Sequence, residues 1–219
     1  MELVDSIFYR KINPSDFKKM YNIDRPNTGG GQTYLEAAGI DNDDLADFLG
    51  IGELSDSPLP DEQRPIFTIP AYVLGQDGES VKLEFAPRGR RNNYRISRQT
   101  LQLKHPAWSV QNGFPEPTRG TDGEYESSAT FAGIIDNVII IIIRTSYNRY
   151  YASFSNTPNM PDDWPQGYGL ESIFTGDRRG VLKLIERGLV FVNNKENPFQ
   201  EPAEIIEPPH RVIGGTNIM

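Results

Sequence analysis

Residues 138–143 run VIIIII, six β-branched side chains in succession. Such side chains are stiff at χ1 and sit better on a pleated sheet than on a helix. A surface helix would bury one stripe of the run, whereas a strand covered on both faces buries all of it. The segment NVIIIIIRTS is therefore expected to be a strand buried on both sides. The run falls far short of the roughly 20 apolar residues that a membrane-spanning helix needs.

Other strands can be read around it. YNR turns the chain into YYASF, which places Tyr150, Ala152 and Phe154 on one face and Tyr151 and Ser153 on the other. PIFTIPAYVL and SVKLEF are β-prone and separated by the turn-forming GQDGE. NYRISRQTLQL follows, with Tyr94 and Ile96 in alternation. Near the start, Ile7, Phe8 and Tyr9 form a short strand-like piece, and Asn13 with Pro14 opens a helical turn.

DNDDLADFLG predicts a helix with an acidic first turn, apolar Leu45, Phe48 and Leu49, and Gly50 as its stop. QTYLEAAGI has helical character as far as Gly39, and residues 170–187 read as helical turns before a short strand over 189–192. The expected fold is α+β. It comprises a single domain over residues 1–192, with a mainly antiparallel, twisted sheet flanked by short helices, and an extended Pro-rich C-terminal arm over 193–219.

Several chemistries are disfavoured at once. There is no cysteine among the 219 residues, which rules out disulfides, thiolate metal sites and a cysteine nucleophile. The only histidines, His105 and His210, are far apart, so zinc sites and Ser-His-Asp catalysis have little support. The opening MELVDSIFYRK carries acids where a secretory signal would be basic. A cytoplasmic protein without a membrane partner is the expectation.

The net charge of −8 argues at first against a nucleic-acid partner. Its distribution reverses that argument. Between Glu84 and Glu116 there is no acid, but there are six cations: Arg88, Arg90, Arg91, Arg95, Arg98 and Lys104. A segment of +6 in a chain of −8 leaves the remainder at −14. Asn, Gln and Tyr are interleaved with the arginines, and these are the side chains that read base edges and grip phosphates. The alternative is a solvated basic hairpin paired with the acidic remainder.

A carboxylate metal site is a second expectation. Nucleases of the PD-(D/E)XK type hold Mg²⁺ on strand carboxylates and use a lysine to activate water. Glu84 on KLEF, Gln102 and Lys104 in QLK, and Glu36 would supply such a catalytic set. Asp136, just before the apolar strand, stands with Glu84 as a candidate metal ligand, although Asp-Asn is also a turn signal.

RPNTGGGQTY is neither a Walker A loop nor a dinucleotide fingerprint. Its three glycines permit close backbone approach, and Arg25, Asn27, Gln32 and Tyr34 around them suit contact with DNA. Together with YRISRQ, HPAW, NGFP and IIIRTSYNRYYASF, this motif resembles a group of bacterial proteins of restriction systems, some of them restriction endonucleases or their DNA-recognition parts. The resemblance covers most of residues 7–155. It implies DNA recognition in phage defence. The expected partner is duplex DNA, with a homodimer left open, and Mg²⁺ is expected only if the chain is itself an endonuclease.

Overall fold

The computed structural model describes residues 1–13, 15–17, 21, 35–37, 40–51, 65–88, 91–96, 105–117, 119–123 and 138–203. Its strands are β1 (Val4–Lys11), β2 (Leu35–Glu36), β3 (Phe67–Val73), β4 (Val81–Arg88), β5 (Arg91–Ile96), β6 (Val138–Thr145), β7 (Tyr150–Asn156), β8 (Arg179–Lys183), β9 (Val190–Phe191) and β10 (Phe199–Gln200). Among the described residues its α-helices are α1 (Asn42–Leu49) and α2 (Ser172–Thr175), and residues 15–17 are also α-helical, where Asn13 and Pro14 predict a helical turn. The fold is mixed α+β with a large, mostly antiparallel sheet.

Eight strands share that sheet in the order β2-β5-β4-β3-β7-β6-β1-β8. Every neighbouring pair is antiparallel except β3 and β7, where Ala71 lies opposite Tyr150 and Val73 opposite Ala152. β6 occupies the middle of its half, between β7 and β1. Val138, Ile140 and Ile142 enter one core with Phe8, Phe48 and Phe85. Ile139, Ile141 and Ile143 enter a second core with Trp164, Leu170 and Phe174. The isoleucine run is thus consumed on both faces, as its β-branched composition requires.

The first core is roofed by α1, whose limits follow from its ends. The Asp41 carboxylate accepts from the Asp43 N–H at 2.8 Å, and Gly50 closes the helix in the left-handed region at φ 69°. Leu45, Phe48 and Leu49 face inward. Tyr150 Oη donates to the Phe48 carbonyl at 3.0 Å, and Arg144 donates to the Asp47 carbonyl, so β6 and β7 fasten the last turn of the helix to the sheet.

Two expected helical segments take other forms. Leu35 and Glu36 pair with Ile96 and Arg95 as strand β2, and the Ala37 N–H donates to the Tyr94 carbonyl, so this part of QTYLEAAGI follows the sheet edge. Within 170–187 only α2 is α-helical, while residues 179–183 form β8 against β1. Gly176 ends α2, and the ring of Tyr9 lies where a side chain at Gly180 would stand, its Oη 2.7 Å from an ideal Cβ there. A ring seated on a glycine fixes that residue opposite β1, and tertiary packing overrides the local helical character.

Residues 193–200, where the Pro-rich segment begins, lie against the second core. β10 pairs with β9, and the Phe199 ring meets Trp164 edge to face at 4.7 Å. Among the described residues, no helix is long and apolar enough to cross a membrane.

Candidate nucleic-acid interface

The β4–β5 hairpin carries the described part of the acid-free segment. Leu83, Phe85, Tyr94 and Ile96 are buried in the first core, and Tyr94 packs on Phe67 with centroids 5.6 Å apart. Period-two alternation sends Lys82, Glu84, Ala86 and Arg95 to the opposite face. Register confirms the sharing, with Pro70 opposite Lys82, Thr68 opposite Glu84, and Ala86 opposite Arg95.

Among the described residues that opposite face is open in part, with Ala86 buried on it. The second core lies over β6, β7, β1 and β8, and among the described residues Tyr72 and Leu74 mark its limit on the β3 side. Beyond that margin Thr68, Pro70 and Lys82 are exposed, and Glu84 and Arg95 are half-buried. One half of the sheet is therefore sandwiched between two layers, while the other, among the described residues, carries a partly solvated face, an arrangement that antiparallel strands tolerate.

At the far end of the hairpin Arg88 lies opposite Arg91, with a register shift between Pro87 and Arg88. Proline lacks the N–H that a ladder needs, so a bulge beside it is the expected irregularity, and bulges re-aim the residues that follow.

Glu36, Arg95 and Ala86 form one cross-strand row, with Arg95 on the middle strand. Strand spacing puts the Glu36 and Ala86 backbones about 10 Å apart. Glu84 is two residues further along β4, beside Thr68. Among the described residues no three His, Cys, Asp or Glu side chains come together as a metal site. Arg25, Asn27, Gln32, Tyr34, Arg90, Arg98, Gln102, Lys104 and Asp136 lie outside the described residues.

Lys82 was not singled out by its sequence, because it precedes Glu84 and so falls outside the acid-free window. The alternation Lys82-Glu84-Ala86 is the signal that places it on the open face. His105 is buried and serves structure. Its Nδ1 accepts from the Ala107 N–H at 3.2 Å as the cap of a short 3₁₀ turn, and its ring lies 5.1 Å from that of Trp108. The acceptor role of Nδ1 fixes the neutral tautomer with its proton on Nε2. Burial pushes its pKa down to about 4, with the Ala71 backbone offsetting a smaller part.

Compared with known proteins, the chain matches no family model, no curated protein and no solved structure.

Proposed function

We propose that this chain is a DNA-recognition protein of a restriction-type defence system, gripping duplex DNA with the β4–β5 hairpin. The observation that carries the reading is the acid-free, six-cation segment, whose described part is a two-stranded ribbon with Arg88 and Arg91 paired at one end. A two-stranded ribbon fits the major groove of B-form DNA, and arginine pairs bidentately with guanine edges or phosphates. One face of the ribbon is anchored by Phe85, Tyr94 and Ile96, which stiffens the presentation of the other. The remaining charge of the chain is negative and confines a polyanion to this side. The cytoplasm is where such a protein acts, and a homodimer would set two hairpins on related half-sites.

The test is fluorescence anisotropy with labelled duplex DNA from about 50 to 200 mM salt, the range over which phosphate contacts lose strength steeply. Log affinity is expected to fall linearly with log salt. In Arg91→Gln/Arg95→Gln the slope is expected to drop by about 2, near 0.9 per lost phosphate contact. Absence of binding at the lowest salt, or an unchanged slope in a folded double variant, would overturn the reading.

A Mg²⁺-dependent endonuclease built on Glu36, Glu84, Gln102 and Lys104 is the alternative. The row that puts Arg95 between the strands of Glu36 and Glu84 does not favour one ion shared by both. An acidic interaction protein without DNA affinity is the third reading, and the anisotropy titration separates it from the other two.

A further inference from the structure

The second core also receives polar side chains. From β7 it receives Tyr151 and Ser153, and Ser155 follows on the same face. These residues lie opposite Ile143, Ile141 and Ile139 of β6. Ser155 is satisfied, with its hydroxyl 3.0 Å from that of Thr157, which donates onward to the Asn159 carbonyl at 2.8 Å. Ser153 is 5% exposed, and its hydroxyl has no hydrogen-bond partner among the described residues. The hydroxyl is not sealed in the layer, since it keeps accessible surface on the cavity beside it.

Beside Ser153 the layer opens into a cavity of about 140 Å³. Leu74, Ile141 and Ile143 contribute to its lining with Trp164, and the exposed Asn156, Thr157 and Glu196 mark its mouth. Residues 193–200 are strapped beside it at several points. The Gly75 N–H donates to Asn193 Oδ1 at 2.8 Å, Lys195 Nζ donates to the Asn112 carbonyl at 2.8 Å, and Trp164 Nε1 donates to the Glu196 carbonyl at 3.1 Å. These anchors keep the strap from collapsing into the space.

We propose that this cavity binds a small, uncharged, largely apolar molecule carrying one hydrogen-bonding group, which the Ser153 hydroxyl meets above Ile141 and Ile143. Cavities of this size lined by aliphatic and aromatic side chains accept a benzene-sized guest. Ser155, Asn156, Thr157, Lys195 and Glu196 also line the cavity, so its polar part can hold water while Leu74, Ile141, Ile143 and Trp164 offer an apolar wall to a guest. Lys195 and Glu196 both line the cavity with opposite charges, so it holds no net charge to draw in an ion, and a charged guest would be desolvated against Leu74, Ile141 and Trp164. The inference is independent of the DNA reading, which concerns the other half of the sheet.

Phenol, benzene and benzoate are the probes, titrated into the full chain and followed by the NMR signals of the Ile141 and Ile143 methyls and the Trp164 indole. Phenol is expected to shift these signals saturably and benzoate to leave them unmoved. Ser153→Ala is expected to weaken phenol binding about tenfold, the scale of one hydrogen bond, with benzene unaffected. Ser153→Leu is expected to block both by filling the space. No saturable shift with phenol, equal phenol affinity in Ser153→Ala, or benzoate binding as tight as phenol would each overturn the proposal. The first of these would make the cavity a site for water only.

Discussion

Arg10 Nη2 donates to Asp16 Oδ2 at 2.8 Å, and both side chains are almost wholly out of solvent. Asp16 also accepts from the Asn13 N–H, and Arg10 Nη1 donates to the Lys11 carbonyl at 2.9 Å, so the pair ties the turn at residues 15–17 to β1. Burial lowers the Arg10 pKa, Asp16 opposes that shift, and Arg179 and Arg178 add to it. Removing one member of a buried pair strands the other charge. Asp16→Ala is expected to lose about 3–5 kcal/mol in urea denaturation. The double change Arg10→Met/Asp16→Leu is expected to recover most of that loss, since a buried pair is often replaceable by apolar groups. A double variant no more stable than Asp16→Ala would show that the turn needs the pair itself.

His105 predicts a pH dependence with a definite sign. Its folded pKa is about 4 and that of an unperturbed histidine about 6.5. As pH falls through 6.5 the unfolded chain takes up a proton that the folded chain refuses. Stability is therefore full above pH 6.5 and declines towards pH 4, by up to about 3 kcal/mol over the window. Denaturation midpoints between pH 5 and 7 check the slope with little carboxylate titration. His105→Asn keeps an acceptor at the cap and is expected to be less stable throughout, with a flatter profile across the same window. An unchanged slope in that variant would assign the dependence to other groups.

The legibility of the fold differs from strand to strand for a physical reason. β6 and β7 declare themselves because composition and alternation are local properties, and α1 does so because Asp41 and Gly50 are local caps. β8 does not, since what makes residues 179–183 a strand is pairing with β1 and the Tyr9 ring over Gly180, more than 160 residues apart in sequence. The candidate interface divides in the same way. The cationic segment is visible as a run without acids, but the open face needs register, because Lys82, Glu84 and Arg95 meet only through β4–β5 pairing. Alternation along β7 alone puts Ser153 on its face, opposite Ile141. Its missing partner and the cavity beside it depend on segments that arrive from residues 160–198.

Gly50 offers a local test of helix termination. Its φ of 69° suits glycine, and an ideal Cβ there would stand 3.3 Å from Arg144 Nη2, the side chain that also bonds the Asp47 carbonyl. Gly50→Ala is expected to cost about 1 kcal/mol from the left-handed conformation alone. Gly50→Asn is expected to cost less, because asparagine enters that region more readily. Thermal denaturation of the two variants checks the order, and the reverse order would mean that crowding against Arg144 outweighs the backbone term.

Glu84 separates the two DNA readings. It is half-buried on the open face, has no ion-pair partner among the described residues, and lies one strand from Arg95. If the hairpin grips DNA, this carboxylate is a repulsive element beside the phosphates. Glu84→Gln is then expected to tighten duplex binding by a few-fold at about 50 mM salt, an advantage that shrinks as salt screens the charge. If Glu84 is a Mg²⁺ ligand, the same change removes metal affinity and with it cleavage of plasmid DNA. Anisotropy without Mg²⁺ and a digest with Mg²⁺ therefore move in different ways under the two readings. Tighter binding with unchanged digestion supports the grip, whereas loss of a wild-type cleavage activity would place Glu84 in a catalytic centre.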